Sequence, residues 1–175
     1  MIVEEEIHPS LWVEHDYSRI DIRLLPVGLH IYVWRGALLY EYSHHGIYIG
    51  DGRVIHSIGP KAGGPRVACK KCAFAGNMQQ AVVETCLECF LCGGRLCRYN
   101  YDVPMNVLRI TSHVMCSTCT SKRSKPANEV VETAKRKLKE GFGTYNLISN
   151  NCEHFATFSK TGTSLCQQVP GHLRI

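Results

Sequence analysis

Short runs of apolar residues in the first half of the chain have the character of strands rather than helices. Four runs rich in β-branched and aromatic residues are candidate strands: residues 29–34, 38–42, 44–49 and 53–58. Gly50, Asp51 and Gly52 separate the last two runs, and a turn of this composition favours a β-hairpin. The pattern therefore predicts an antiparallel sheet near the start of the domain.

Helical periodicity dominates the second half of the chain. Apolar residues recur at helical spacing in 128–140, which predicts an amphipathic helix that ends at Gly141. A second helix is predicted from Asn151 to about Lys160. The remaining candidates are a short helix over 82–91 and strands over 95–101 and 107–111. This mixture predicts the α+β class.

Length and composition indicate one globular domain. The chain has 175 residues, of which 45% are hydrophobic and 20% charged, and these values exclude a disordered chain. No apolar run reaches the ~18 residues of a membrane-spanning helix, and the acidic start MIVEEEIHPS lacks the pattern of a secretory signal. We therefore expect a cytoplasmic protein. The net charge of +5 is small, so nucleic acid is not an expected partner.

Cysteine is unusually frequent, with ten residues in the chain. In a reducing compartment most of these thiols should be free. Six of them form three CxxC pairs: Cys69/Cys72, Cys86/Cys89 and Cys116/Cys119. Such pairs are typical of metal or redox sites when no secretory signal is present.

The first and third pairs lie in polar, turn-rich segments, ACKKCA and MCSTCT, which are usual surroundings for zinc ligands. We predict that these two pairs bind one structural zinc ion that takes no part in catalysis. The middle pair lies in an apolar run, where buried thiols acting as small hydrophobic side chains are the stronger interpretation. Three alternatives remain: the loop cysteines bind no metal, they form two local CxxC disulfides, which a reducing compartment disfavours, or the middle pair replaces one of the other two.

Residues 150–155 carry the main candidate for a nucleophile. Asn151 is a good N-cap residue, so Cys152 is predicted in the first turn of a helix. Unpaired backbone N–H groups and the helix dipole favour a thiolate there, and the same N–H groups could hold an oxyanion during acyl transfer. A buried structural cysteine behind an asparagine cap is the alternative from this segment alone.

A cysteine nucleophile needs a base, and the predicted hairpin offers three histidines: His44, His45 and His56. A three-residue loop would place Gly46 opposite His56 and bring His44 onto the same face. A two-residue loop would bring His45 there instead. The residues alone leave both registers open.

These motifs together resemble the lecithin:retinol acyltransferase (LRAT) domain family, in its plant-type branch. The resemblance rests on HHGIYIGDGRVIH, on NCEHF far downstream, and on CLECFL and GFGTYN. It implies a circularly permuted papain-like fold, with an antiparallel sheet packed against helices and histidine strands preceding the cysteine helix. It divides the chain into an N-terminal extension (1–25), the domain (26–162, with a cysteine-rich insertion at about 59–80) and a C-terminal tail (163–175).

The resemblance also implies thioester chemistry on acyl lipids. By position in the motifs, Cys152 matches the nucleophile, His44 the base and His56 the second histidine, whereas His45 matches no catalytic position. The expected partner is an acyl lipid or another acyl donor, with peripheral contact to a membrane, and no cofactor is needed for catalysis. Two alternatives are a thiol isopeptidase of permuted papain-like type and a non-catalytic LRAT-like binding module.

Overall fold

The structure is a computed structural model that describes residues 24–37, 40–60, 67–75, 81–111 and 118–166. Its strands are β1 (His30–Ala37), β2 (Tyr40–Gly50), β3 (Arg53–Ile58), β4 (Ala81–Cys86) and β5 (Cys97–Arg98). Its helices are α1 (Leu87–Leu91), α2 (Met105–Thr111), α3 (Ala127–Glu140) and α4 (Cys152–Thr161). Most of the predicted N-terminal extension and C-terminal tail, parts of the cysteine-rich insertion, and Cys116 lie outside the described residues.

The five strands form one antiparallel sheet in the order β4-β3-β2-β1-β5. This confirms the predicted α+β class and the predicted hairpin between β2 and β3. The runs predicted over 38–42 and 44–49 belong to one long strand, β2, which pairs with β1 from His30 opposite Ile47 to Ala37 opposite Tyr40. Within the described ranges, none of the helices has the length and apolar character needed to cross a bilayer.

Two short elements differ from the prediction. The predicted helix over 82–91 is divided between β4 and α1, because Val82, Val83 and Thr85 pair with β3 and β-branched residues favour strands. The predicted strand over 107–111 lies in helix α2. Its first turn is closed by the Leu108 N–H, which donates to the Pro104 carbonyl at 3.0 Å, and proline is a common helix-start residue.

The two faces of the sheet carry separate hydrophobic cores. On the face covered by α1, here called the α1 face, the buried residues include Ile31, Val33, Tyr48, Val54 and Phe90. On the opposite face, the α4 face, the sheet packs against α3 and α4 through Ile47, Ile55, Val130, Ala134, Phe155 and Ala156. Successive strand residues point to opposite faces, so neighbouring residues of β2 belong to different cores.

Candidate active site

Cys152 is the first residue of α4, at a fully capped helix end. The Asn151 side-chain oxygen accepts hydrogen bonds from the backbone N–H groups of Glu153 and His154, at 2.9 and 3.1 Å. The Asn151 N–H donates in return to His154 Nδ1 at 3.3 Å, which completes a capping box. The predicted asparagine cap is therefore confirmed, and it places Cys152 at the positive end of the helix dipole.

The Cys152 thiol is buried, with only 2% of the residue exposed. Its Sγ lies 3.8 Å from the Ser43 carbonyl oxygen, to which it donates. Burial raises the pKa of Cys152 to about 11, and hydrogen bonds from the His45 and Glu153 backbone and the Tyr145 side chain offset this only in part. In this state burial favours the neutral thiol and opposes the predicted thiolate, which the helix N-terminus favours.

His44 and His56 lie side by side on the α1 face. His44 Nε2 is 2.9 Å from His56 Nδ1, and His56 Nε2 is 3.0 Å from Thr85 Oγ1. The Phe90 ring packs against both imidazoles, with centroids 5.3 and 5.2 Å away. Burial lowers the pKa of His56 to about 3 and that of His44 well below its usual value, so both rings are neutral near pH 7.

The hairpin combines features of both predicted registers. In the body of the hairpin Ile47 lies opposite Ile55, which is the pairing that puts His44 and His56 on one face. At the turn, however, Gly50 pairs with Arg53 across a two-residue loop. A bulge between Tyr48 and Gly50 accounts for the one-residue shift in register. The hairpin therefore has the two-residue loop at its turn and the strand register predicted for a three-residue loop in its body.

Cys152 meets the sheet at β2, the strand that carries His44. Cys152 touches the backbone on either side of His44, through the Ser43 carbonyl and the His45 N–H. The His44 side chain packs on the α1 face, whereas α4 packs on the other face. Within the part of the chain that the structure describes, no histidine side chain hydrogen-bonds to Cys152 Sγ. The structure thus brings His44 and His56 together, and it brings Cys152 to the backbone on both sides of His44.

A second buried histidine pair, which the sequence analysis missed, lies beside α4. His45 Nδ1 is 2.9 Å from His30 Nε2, and His45 Nε2 is 2.8 Å from Ser43 Oγ. His30 Nδ1 continues the chain to the Tyr101 hydroxyl at 2.8 Å. A signal was present in the sequence, because His30 and His45 are polar residues within two of the predicted strands.

Ser43 connects this second pair to Cys152. Its hydroxyl contacts His45 while its carbonyl oxygen contacts the Cys152 thiol. Burial lowers the pKa of His45 to about 4, and the fully buried Glu153 offsets this only in part. Both ring nitrogens of His45 are engaged in hydrogen bonds, so His45 is a neutral structural imidazole in this state.

Gly46 provides the space that the His44–His56 pair needs. A Cβ at this position would lie 2.7 Å from Val54 Cγ1, 2.9 Å from Phe90 Cε2 and 3.2 Å from His56 Cβ. We expect Gly46→Ala to lower the free energy of unfolding by about 1–3 kcal/mol, as overpacked cores do. Chemical denaturation measures this, and an unchanged midpoint would contradict the described packing.

Four cysteines meet beside β4. The sulfurs of Cys69, Cys72, Cys86 and Cys89 all lie within 4.8 Å of one another. Hydrogen bonds from the Lys71 and Cys72 backbone lower the pKa of Cys69 to about 6, whereas burial raises that of Cys86. All nine described cysteines are free thiols.

The pairing differs from the one that the sequence favoured. Cys119 forms a bridge with Asn100, beyond β5, and β5 is the opposite edge of the sheet from β4. It cannot reach Cys69 and Cys72, and Cys116 lies outside the described residues. Cys86 and Cys89, instead of Cys116 and Cys119, lie beside Cys69 and Cys72, because the end of β4 and helix α1 lie next to that first pair. The sequence had left this alternative open.

Comparison with known proteins identifies the family. The model for lecithin retinol acyltransferase matches residues 24–165. Protein LEAD-SENSITIVE 1 from Arabidopsis thaliana is 41% identical, over 82% of this chain and 60% of that protein. Rat lecithin retinol acyltransferase is 29% identical, over 74% and 53%. Human phospholipase A and acyltransferase 4 is 27% identical, over 73% and 67%.

The chain thus spans about 60% of the plant relative and 53% of the rat enzyme. Histidine-bearing strands precede the cysteine-bearing helix, as the resemblance to a permuted papain-like fold implied. With the family model covering most of its length, this chain belongs to the lecithin retinol acyltransferase family.

Proposed function

We propose that this protein is a cysteine-dependent acyltransferase or acyl hydrolase that acts on acyl lipids through a thioester on Cys152. The observation that carries the proposal is the place of Cys152, at the capped N-terminus of α4 in a chain of this family. Relatives named as acyltransferases and phospholipases support the lipid substrate. A cytoplasmic location completes the proposal, since a reducing compartment keeps thiols free.

The proposed reaction has two steps. Cys152 Sγ attacks the ester carbonyl carbon, a C–S bond forms, the C–O bond breaks, and the alcohol leaves with the thiol proton. Water, a hydroxyl or an amine then attacks the thioester, takes the acyl group and restores the thiol. The His45 and Glu153 backbone groups that point at the sulfur are the nearest donors for the developing negative charge.

His44 is the proposed base, and His56 is the proposed positioning residue for it. Their 2.9 Å contact supports this division, because His56 holds one ring nitrogen of His44 in place. His44 Nε2 is engaged by His56, which leaves Nδ1 to take the thiol proton. The backbone of His44 lies between the two groups that Cys152 touches, so His44 belongs to the part of β2 that meets the proposed nucleophile.

One observation favours a second candidate, a non-catalytic binding module. Cys152 is a buried thiol whose pKa burial raises to about 11, and its described partners include no imidazole. A site held permanently in this state would bind an acyl lipid without turning it over. The two candidates differ in whether Cys152 ever carries an acyl group.

Intact-mass analysis after incubation with a short-chain phospholipid separates the two candidates. We expect one added acyl mass, located by peptide mapping on Cys152 and released by hydroxylamine, as thioesters are. Cys92→Ala is the matched control because Cys92 is an exposed cysteine away from Cys152, and it should retain the adduct. Absence of any adduct under conditions of lipid binding would favour the binding module.

Two exposed apolar side chains beside Cys152 suit contact with a lipid surface. Leu147 and Ile148 are 61% and 68% exposed. The segment that carries them is tied to the site, since the Asn151 side-chain amide donates to the Leu147 carbonyl at 2.8 Å and the Tyr145 side chain bonds to Cys152. Peripheral membrane contact would thus present lipid near the proposed nucleophile.

We expect the double variant Leu147→Ser/Ile148→Ser to weaken binding to phospholipid vesicles by about tenfold or more. The expectation follows from losing part of the ~1.5–3 kcal/mol that burying each such side chain provides. Vesicle co-sedimentation measures it. Val67→Ser is the matched control, since Val67 is 80% exposed but belongs to another segment. Equal weakening by both variants would assign no special role to 147–148.

A further inference from the structure

We propose that Cys69, Cys72, Cys86 and Cys89 bind one zinc ion in a closed, four-thiolate site outside the reacting centre. The site joins the segment 67–75 to the end of β4 and to α1. It is independent of acyl transfer, because all four coordination positions are taken by sulfur and none is left for a substrate.

The distances between the sulfurs match a shared metal ion. Cys69 Sγ is 3.9 Å from Cys86 Sγ, and Cys72 Sγ is 3.7 Å from Cys89 Sγ. Tetrahedral zinc with bonds of about 2.3 Å to sulfur holds its ligands about 3.8 Å apart. A disulfide requires about 2.05 Å. The four sulfurs therefore have the spacing of ligands around one ion, with each CxxC pair contributing two.

The first CxxC pair lies in a tight turn shaped to present thiolates. The Cys69 N–H donates to the Phe74 carbonyl at 2.9 Å, and the Ala73 N–H donates to the Cys69 carbonyl at 2.7 Å. Ala73 adopts a left-handed conformation with φ of 57°, which allows the chain to fold back. Backbone N–H groups of Lys71 and Cys72 also point at Cys69 Sγ, and such bonds stabilise a metal-bound thiolate.

Zinc is the metal that this ligand set favours. Four thiolates in tetrahedral array suit zinc or iron–sulfur chemistry, whereas harder ions prefer oxygen. An iron–sulfur cluster contains several iron ions bridged by inorganic sulfide, so cysteine sulfurs bound to different irons lie farther apart. Sulfur separations of 3.7 and 3.9 Å leave room for a single ion.

Residues next to the four cysteines contact His56. Thr85, which lies 3.0 Å from His56 Nε2, directly precedes Cys86. Phe90, whose ring centroid is 5.2 Å from that of His56, directly follows Cys89. Phe74, at 6.4 Å, follows Cys72 by two residues. One ion would therefore hold together three segments that contact His56. The effect of the ion on activity rests on the proposed function, whereas binding of the ion does not.

Elemental analysis of the full chain, purified without chelator, tests the site. We expect about one equivalent of zinc and no iron, with four thiols protected from a thiol reagent until the metal is removed. Cobalt reconstitution should give the absorption of tetrahedral thiolate-bound cobalt. These three readouts use the unmodified chain, so they do not depend on the folding of any variant.

Serine variants then identify the ligands. Cys69→Ser and Cys89→Ser should reduce bound zinc to below about a tenth of an equivalent, whereas Cys92→Ser and Cys119→Ser should keep it. Metal removal should increase hydrogen exchange in β4 and α1 but not in α3. Four outcomes would overturn the proposal. The wild type could hold less than a tenth of an equivalent of zinc with all thiols reactive, or its mass could be lower by four hydrogens because two disulfides have formed. It could hold iron in place of zinc, or lose zinc only with Cys119→Ser.

Discussion

Replacement of Cys152 with alanine should remove the acyl adduct and reduce lipid acyl transfer or hydrolysis to the uncatalysed background. The expected loss is about 10³-fold or more, because a nucleophile that forms a covalent intermediate has no substitute in the site. Intact mass and product release from a short-chain phospholipid measure the two effects. Both must be lost together if the thioester lies on the reaction path.

The fold should survive this substitution. Cys152 is buried, but alanine suits the first turn of α4 and leaves the Asn151 cap and its hydrogen bonds unchanged. We expect a loss in unfolding free energy of about 1–2 kcal/mol, so a folded but inactive variant is the informative result. Full activity in folded Cys152→Ala would contradict the covalent mechanism, and an adduct that persists would place the acyl group on another cysteine.

Local patterns in the sequence predicted the elements that position Cys152 and the hairpin histidines. The amphipathic helix α3 and the capped helix α4 follow from apolar spacing and from Asn151, which depend on residues within one or two turns. Alternation along the strands left two hairpin registers open, and the family resemblance favoured the one in which His44 and His56 share a face. What alternation leaves open is which helix covers which face.

The cysteine pairing shows the same limit. The polar surroundings of the first and third CxxC pairs suggested that they act together, yet the partners of Cys69 and Cys72 depend on the order of the strands. Cys119 lies at the β5 edge and the other pair at the β4 edge. Likewise the pKa of Cys152 depends on packing against β2, which brings burial that no feature of residues 150–155 reveals.

His44→Ala should lower kcat/KM by about 10²–10⁴-fold, the usual contribution of a general base. His56→Ala should cost less, since His56 positions His44 through the 2.9 Å contact and transfers no proton itself. The reason to choose His44 over its neighbour is the state of the ring nitrogens. Among the described residues, His44 bonds through Nε2, which leaves Nδ1 to accept a proton, whereas His45 uses both nitrogens.

His45→Ala is the matched control, because it removes an imidazole one residue away on the opposite face of β2. It should destabilise the α4 face without the large loss in kcat, and it should leave the pH profile of the remaining activity unchanged. His56→Ala, in contrast, should shift that profile by changing the surroundings of His44, while leaving KM nearly constant. Added imidazole should partly restore His44→Ala if only a base is missing.

These variants also decide between the two faces of the sheet. Cys152 contacts the backbone of Ser43 and His45, so His44 and His45 both belong to the part of β2 that meets the sulfur. A loss confined to His44→Ala means that His44 serves as the base for Cys152 during turnover. A larger loss for folded His45→Ala would instead assign the base to the α4 face, with Ser43 as the link. Wild-type rates in both variants would remove histidine from the proposed mechanism.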